Sequence, residues 1–142
     1  VVHILELLDE LRTQGRLKLK DKEIQKLTYH DPCQISRRGG VINQPRNLLN
    51  MVADNFVEMP EAGKMNWCCG AGGGVSSNER ADDLRLKTFA RKKTQLDAIN
   101  VNAIVTACSN CRIHLEEGLE EYHMELPLLS LTETIAEHLA EE

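Results

Sequence analysis

Cysteines occur at three places along this chain and nowhere else. Cys33 stands in His30-Asp31-Pro32-Cys33, Cys68 and Cys69 are adjacent ahead of Gly70-Ala71-Gly72-Gly73-Gly74, and Cys108 and Cys111 form a C-x-x-C pair. The intervening gaps are 34 and 38 residues. A cysteine used as a small core hydrophobe turns up singly on an apolar face. These five lie among Pro, Gly, Asn, Ser and Arg, the residues of loops. Adjacent cysteines suit a mutual disulfide poorly, since their Cα atoms are about 3.8 Å apart and a bridge prefers ~5.5 Å. They suit two thiolates aimed at one inorganic centre, zinc or an iron–sulfur cluster. Disulfide formation and plain core packing are the alternatives.

The stretches around the cysteines alternate between strand and helix signals. Ile4, Leu5, Leu7, Leu8 and Leu11 recur at helical spacing and Gly15 ends that helix. The run Lys18 to Lys26 is basic and reads as a solvated loop or short helix. Leu27 to His30 is β-prone and stopped by Asp31-Pro32, so a strand delivers Cys33 at its carboxyl end. Arg37 to Gly40 reads as a loop, and Pro45 opens a helix through Leu48, Leu49, Val52 and Ala53. A second strand is expected at Phe56 to Met59. After the glycine loop, Ser76, Ser77 and Asn78 cap a helix from about Glu79 to Ile99, with Leu86, Phe89, Leu96 and Ile99 on one stripe. Ala103 to Thr106 is a continuous apolar strand of the kind buried on both faces, and it delivers Cys108. A helix from Asn110 to Glu121, a strand from Leu126 to Leu131 and a terminal helix to Ala140 complete the reading. Alternation of this kind predicts an α/β, three-layer fold: a mainly parallel sheet of about four strands with flanking helices. Ligands of such sheets collect at the carboxyl ends of the strands, where Cys33 and Cys108 fall.

Length and composition predict one domain over residues 1–142. A net charge of −5 with no basic stripe argues against nucleic acid as a partner. No apolar run reaches the ~18–20 residues that span a bilayer, so no direct membrane span is expected. The opening Val1-Val2-His3-Ile4 has no basic leader segment, and five thiols without one point to a reducing, cytoplasmic compartment. A start at Val leads to the expectation of a C-terminal part of a longer polypeptide.

Cys33, the Cys68-Cys69-Gly70 triplet and Cys108-x-x-Cys111 resemble the CCG, or cysteine-rich, domain of heterodisulfide reductase catalytic subunits. The same domain occurs in iron–sulfur subunits of glycerol-3-phosphate, lactate and glycolate oxidising complexes. The resemblance runs from about Thr28 to Leu131, with a second gap slightly longer than is usual in the family. Gln34 to Gly40 and Met65-Asn66-Trp67 look closest to the K-type subunit of the membrane complex associated with dissimilatory sulfite reductase. The resemblance implies that Cys33, Cys68, Cys69, Cys108 and Cys111 together hold a non-cubane [4Fe-4S] centre. It further implies that a disulfide or longer sulfur chain on a small-molecule or protein thiol is reduced or formed there, with Cys33, Cys68, Cys69 and His30 at the chemistry. The partners it implies are other iron–sulfur or membrane subunits, which would hold the chain at the inner face of a membrane. Five thiols exceed the four that a cubane or a zinc ion requires. The alternative is a non-catalytic zinc-binding or electron-transfer module.

The glycine loop fits neither a Walker loop nor a dinucleotide fingerprint, since no Gly-Lys-Ser or Gly-Lys-Thr follows. Its glycines, Gly70 and Gly72 in particular, are candidates to bring backbone N–H groups up to a cluster; a flexible turn is the plain alternative. His30 and His114 are candidate proton donors, while His3, His123 and His138 read as surface residues. Arg37, Arg38 and Arg46 are candidates to neutralise an anionic centre, or are simply solvated. Trp67 reads as a cover over the doublet or as core.

Overall fold

The computed structural model describes residues 1–20, 22 and 24–140. The part of the basic run that includes Asp21 and Glu23 lies outside the described residues. Helix α1 (Ile4–Thr13) opens on a reciprocal cap: His3 Nδ1 accepts the Leu5 N–H at 3.2 Å, and Glu6 returns a carboxylate to the His3 N–H at 2.8 Å. Strand β1 (Ile24–His30) is followed by a π-helical turn, Gln34–Arg38, where the sequence suggests a loop. Helix α2 (Asn43–Val52) starts two residues before Pro45, which fits the first turn because its missing N–H has no helical acceptor there. Strand β2 (Ala53–Phe56) begins at the next residue.

Beyond the glycine loop come short 3₁₀ turns and then α3 (Asp82–Asp97), β3 (Ala103–Thr106), α4 (Ser109–Glu121), β4 (Leu128–Ser130) and α5 (Leu131–Glu137). The expected helix from Glu79 is a 3₁₀ turn over its first three residues, where the Asn78 side chain accepts the Arg80 N–H at 3.1 Å. The second strand lies three residues earlier than expected, because Ala53 turns to extended geometry as soon as α2 ends. The fourth strand is shorter than expected, since Leu131 already belongs to α5.

The four strands are all parallel, in the order β2-β1-β3-β4. Side chains of a strand alternate between faces, and β3 shows it. Ala103 and Val105 join a core with Leu5, Leu48, Leu49, Val52, Leu131 and Ile135, from α1, α2 and α5. Ile104 joins a second core with Phe89, Leu96, Leu115 and Leu119, from α3 and α4. The sheet is thus covered on both sides, as an all-parallel sheet must be. Helices α3 and α4 pack closely: a Cβ at Gly118 of α4 would lie inside the ring of Phe89 on α3. Leu19 and Leu139 form an antiparallel bridge that ties the segment after α1 to the end of α5. Among the described residues, no helix is long and apolar enough to cross a membrane.

Candidate functional site

Strands β1 and β3 are neighbours in the sheet, with His30 opposite Thr106. Their carboxyl ends therefore release the chain at the same rim, Cys33 from one and Cys108 from the other. The loop carrying Cys68 and Cys69 is drawn to that rim by a buried carboxylate. Asp31 is 1 % exposed and accepts the Gly63 N–H at 2.7 Å, while its carbonyl accepts from Asn66 Nδ2 at 2.6 Å. Gly63 has φ +59°, a backbone that side chains rarely adopt. Arg37 closes the same loop from above, donating to the carbonyls of Lys64 at 2.9 Å and Asn66 at 2.7 Å.

The structure brings all five sulfurs into one continuous set of contacts. Cys33 Sγ lies 3.9 Å from Cys68 Sγ, and Cys69 Sγ lies 3.1 Å from Cys111 Sγ. Cys68 hydrogen-bonds with its neighbour Cys69, and Cys108 with Cys111. All five are free thiols, at separations well beyond the ~2.05 Å of a disulfide. Cys69 and Cys111 are buried; the other three are half-buried, so the set opens to solvent on the side of Cys33, Cys68 and Cys108.

Hydrogen bonding divides the thiols into donors and acceptors. Hydrogen bonds from Cys111 and then Cys68 hold Cys69 far below the ordinary thiol range, as a thiolate, against the cost of its burial. Cys68 is pushed up, first by donating to Cys69 and then by burial. Cys111 is pushed up by donating to Cys108 and Cys69. Cys108 is lowered to about 6, chiefly by Cys111 and further by the amides of Cys111 and Asn110 in the first turn of α4. Gly70, at φ +94°, donates its N–H to Cys68 Sγ at 3.3 Å. Gly72 instead gives its carbonyl to the Val75 N–H at 3.3 Å, and the Ala71 amide supports Cys69.

His30 is wholly buried, and its ring lies with the Cys69 and Cys111 sulfurs within 4.8 Å of one another. Burial lowers its pKa, so the ring is held neutral. Among the described residues neither ring nitrogen has an oxygen or nitrogen partner, and Cys69 is the hydrogen-bonding group that acts on the ring. An orphaned imidazole beside a thiolate set is a donor arrangement that soft or borderline metals and iron–sulfur centres accept, and the residues present fit such a group.

The remaining expectations divide. Arg46 does not face the sulfurs: it forks onto Asp31 at 2.8 and 2.9 Å and reaches Glu58 at 2.5 Å. Arg38 is exposed, and its guanidinium donates to Gln34 at 3.2 Å. Trp67 is half-buried, donates Nε1–H to the Thr88 carbonyl at 2.9 Å and carries the Arg91 guanidinium 4.1 Å above its ring. His114 lies in the α3–α4 layer with Nδ1 2.8 Å from Glu117. His3 caps α1 and His123 is exposed, as expected of a surface residue, whereas His138 is buried with Nδ1 2.7 Å from the Thr134 carbonyl, contrary to its reading as a surface residue. Three polar groups at the site lie outside the sequence expectations: Asp31, Asn110, whose Nδ2 donates to the Ala71 carbonyl at 3.0 Å, and Lys92, which is 1 % exposed. Lys92 carries a signal that could have found it, since it follows Phe89 by three and precedes Leu96 by four, inside the apolar stripe.

The fold and site define a parallel α/β cysteine-rich domain with five thiols gathered at one rim of the sheet. Residues 27–116 match the CCG cysteine-rich domain, and the chain belongs to that family. It is 32% identical over 143 residues to the D-type component of the dihydromethanophenazine:CoB–CoM heterodisulfide reductase of Methanosarcina mazei, covering 100% of this chain and 34% of that protein. It is 40% identical over 108 residues to the B-type component of the fumarate reductase (CoM/CoB) of Methanothermobacter marburgensis, covering 74% of this chain and 20% of that protein. It is 32% identical over 127 residues to the Hdr-like menaquinol oxidoreductase iron-sulfur subunit 2 of Archaeoglobus fulgidus, covering 84% and 23%. The chain thus spans about a third, or less, of the length of these relatives.

Proposed function

We propose that this chain is a heterodisulfide-reductase-like redox module in which Cys33, Cys68, Cys69, Cys108 and Cys111 hold an iron–sulfur centre, of the non-cubane [4Fe-4S] kind. The observation that carries the reading is the convergence of all five free thiols at one strand rim. The names of the relatives, components of heterodisulfide, fumarate and menaquinol oxidoreductases, support the redox class. When bound, such a centre supplies one-electron steps next to sulfur. Reduction of a disulfide consumes two electrons and two protons and releases two thiols. The electrons would arrive from clusters of partner iron–sulfur subunits or membrane subunits, or from another part of a longer protein. Cys33 and Cys68, half-exposed, line the open side on which a thiol substrate would approach. His30, neutral and buried, offers a hydrogen bond to the Cys69 sulfur and holds it in place. Gly70 N–H supports Cys68 from the loop. Placement in the cytoplasm, against the inner face of a membrane through partners, and kinship with the K-type subunit belong to the same proposal.

Anaerobic reconstitution followed by iron and acid-labile sulfide analysis tests it, with about four irons and matching sulfide per chain expected. A second reading rests on the imidazole of His30 among the sulfurs of Cys69 and Cys111. These three side chains, with one more cysteine, make a zinc site of structural type. One zinc per chain without sulfide would favour this non-catalytic module and overturn the first reading.

A further inference from the structure

Helix α3 places a lysine in the core on the sulfur side of the sheet. Lys92 is 1 % exposed, and its Nζ donates to two neutral acceptors, Met59 Sδ at 3.5 Å and Gln95 Oε1 at 3.3 Å. Among the described residues, no carboxylate lies within ion-pair reach of it. Burial pushes the lysine down to about 8, and the charges of Glu61 and Cys69, then Asp31 and Cys68, oppose that fall. Of these groups, the two carboxylates already have cations of their own. Glu61 is occupied by Arg91, and also accepts from Gln95 Nε2 at 2.5 Å. Asp31 is matched by Arg46. A buried ammonium without a paired anion costs several kcal/mol, and chains keep one only where a nearby negative charge offsets the cost. On this side the uncompensated negative charge would be that of the cysteine sulfurs once they hold the centre proposed above. Met59, which touches Nζ, packs in the same core as Cys69 and Cys111.

We propose that Lys92 is a positioning residue for charge: a fixed buried cation behind the sulfur set that stabilises the more negative, reduced state of the centre bound there. The inference rests on the iron–sulfur reading above. A fixed positive charge in a low-dielectric core favours the added electron and raises the reduction potential. The hydrogen bonds of Nζ to sulfur and to an amide oxygen leave its charge unneutralised, which is what distinguishes it from Arg46, whose charge is matched by Asp31 and Glu58.

The test compares wild type with Lys92→Met, Lys92→Gln and Lys92→Arg, each reconstituted without air, by iron content and by an EPR-monitored redox titration. Neutralising the lysine is expected to shift the one-electron equilibrium at least tenfold toward the oxidised state, about 59 mV lower in potential, with iron content unchanged. Lys92→Arg keeps the wild-type value. Lys92→Gln retains a donor for Gln95 and serves if the methionine variant does not fold. Loss of iron from both neutral variants but not from Lys92→Arg also supports the charge role. A shift of less than tenfold in that equilibrium in a fully loaded neutral variant overturns it, as does loss of iron from all three variants, which would make the residue a packing element. Failure of wild type to take up iron is a separate result: it overturns the iron–sulfur reading, and this inference with it.

Discussion

On one face of the sheet, α1, α2 and α5 bury Leu5, Leu48, Leu49, Val52 and Leu131, each completely. On the other, α3 and α4 cover Ile104 with Phe89, Leu96 and Leu115, but the same layer also contains Cys69, Cys111, His30, His114 and Lys92. The first layer is mainly apolar, although it also buries Tyr29, whose hydroxyl has no hydrogen-bond partner among the described residues, and His138 at the end of α5. The second gathers more titratable groups, among them His30, whose ring nitrogens have no oxygen or nitrogen partner among the described residues. Buried polar groups without partners are costly, and among the described residues the second face carries the larger share of them.

The largest test of this division removes a sulfur. Cys69→Ser is expected to abolish iron uptake almost entirely while leaving the far-ultraviolet helical signal intact, because Cys69 is the thiolate on which its neighbours converge. Full iron content in the variant would remove the doublet from the ligand set. Next is the apolar face. Leu48→Ala empties a completely buried site and should lower unfolding stability by about 2–5 kcal/mol in a denaturant titration, with no change in the reduction potential. A change in potential would show that the two faces are coupled.

Lys92→Met gives an effect of opposite sign. In metal-free protein the lysine sits at about 8 instead of its ordinary 10.5. The unfolded chain therefore binds more protons between those values, and the lysine's penalty is fully present below about pH 8 and disappears as pH rises toward 10.5. The substitution should stabilise the metal-free fold by up to about 3 kcal/mol at about pH 7, with the gain vanishing near pH 10.5. Urea titrations of both proteins across that range check it. Arg112→Ala is the smallest. Its ion pair with Glu133, at 2.7 Å, is exposed, and a loss of less than about 1 kcal/mol is expected in the same titration.

The parallel α/β order and the delivery of Cys33 and Cys108 at strand ends are legible in the sequence because strand signals and cysteine positions are local. β3 is apolar at its first three positions, and Pro32 marks the end of β1 within two residues. The second strand is not placed correctly by pattern because no turn residue separates α2 from β2, so nothing in Val52-Ala53 announces the change of period. The π-helical turn after Cys33 is hidden because Arg37-Arg38-Gly39-Gly40 carries loop residues and the turn is fixed by backbone bonds to Pro32 and Cys33. His138 reads as exposed because a histidine near the end of a polar helix usually is; here its face of α5 turns inward. The tie between Asp31 and the loop at Gly63 spans 32 positions, a distance over which sequence patterning carries no signal.

Gly118 has a consequence for packing. Because it lacks a side chain, α4 can lie directly on the Phe89 ring of α3. One of these helices carries Cys111 and the other Lys92, so the gap between the two is set by a methyl group that is not there. Any side chain at 118 would wedge α3 and α4 apart, since its Cβ would stand 2.1 Å from the Phe89 ring.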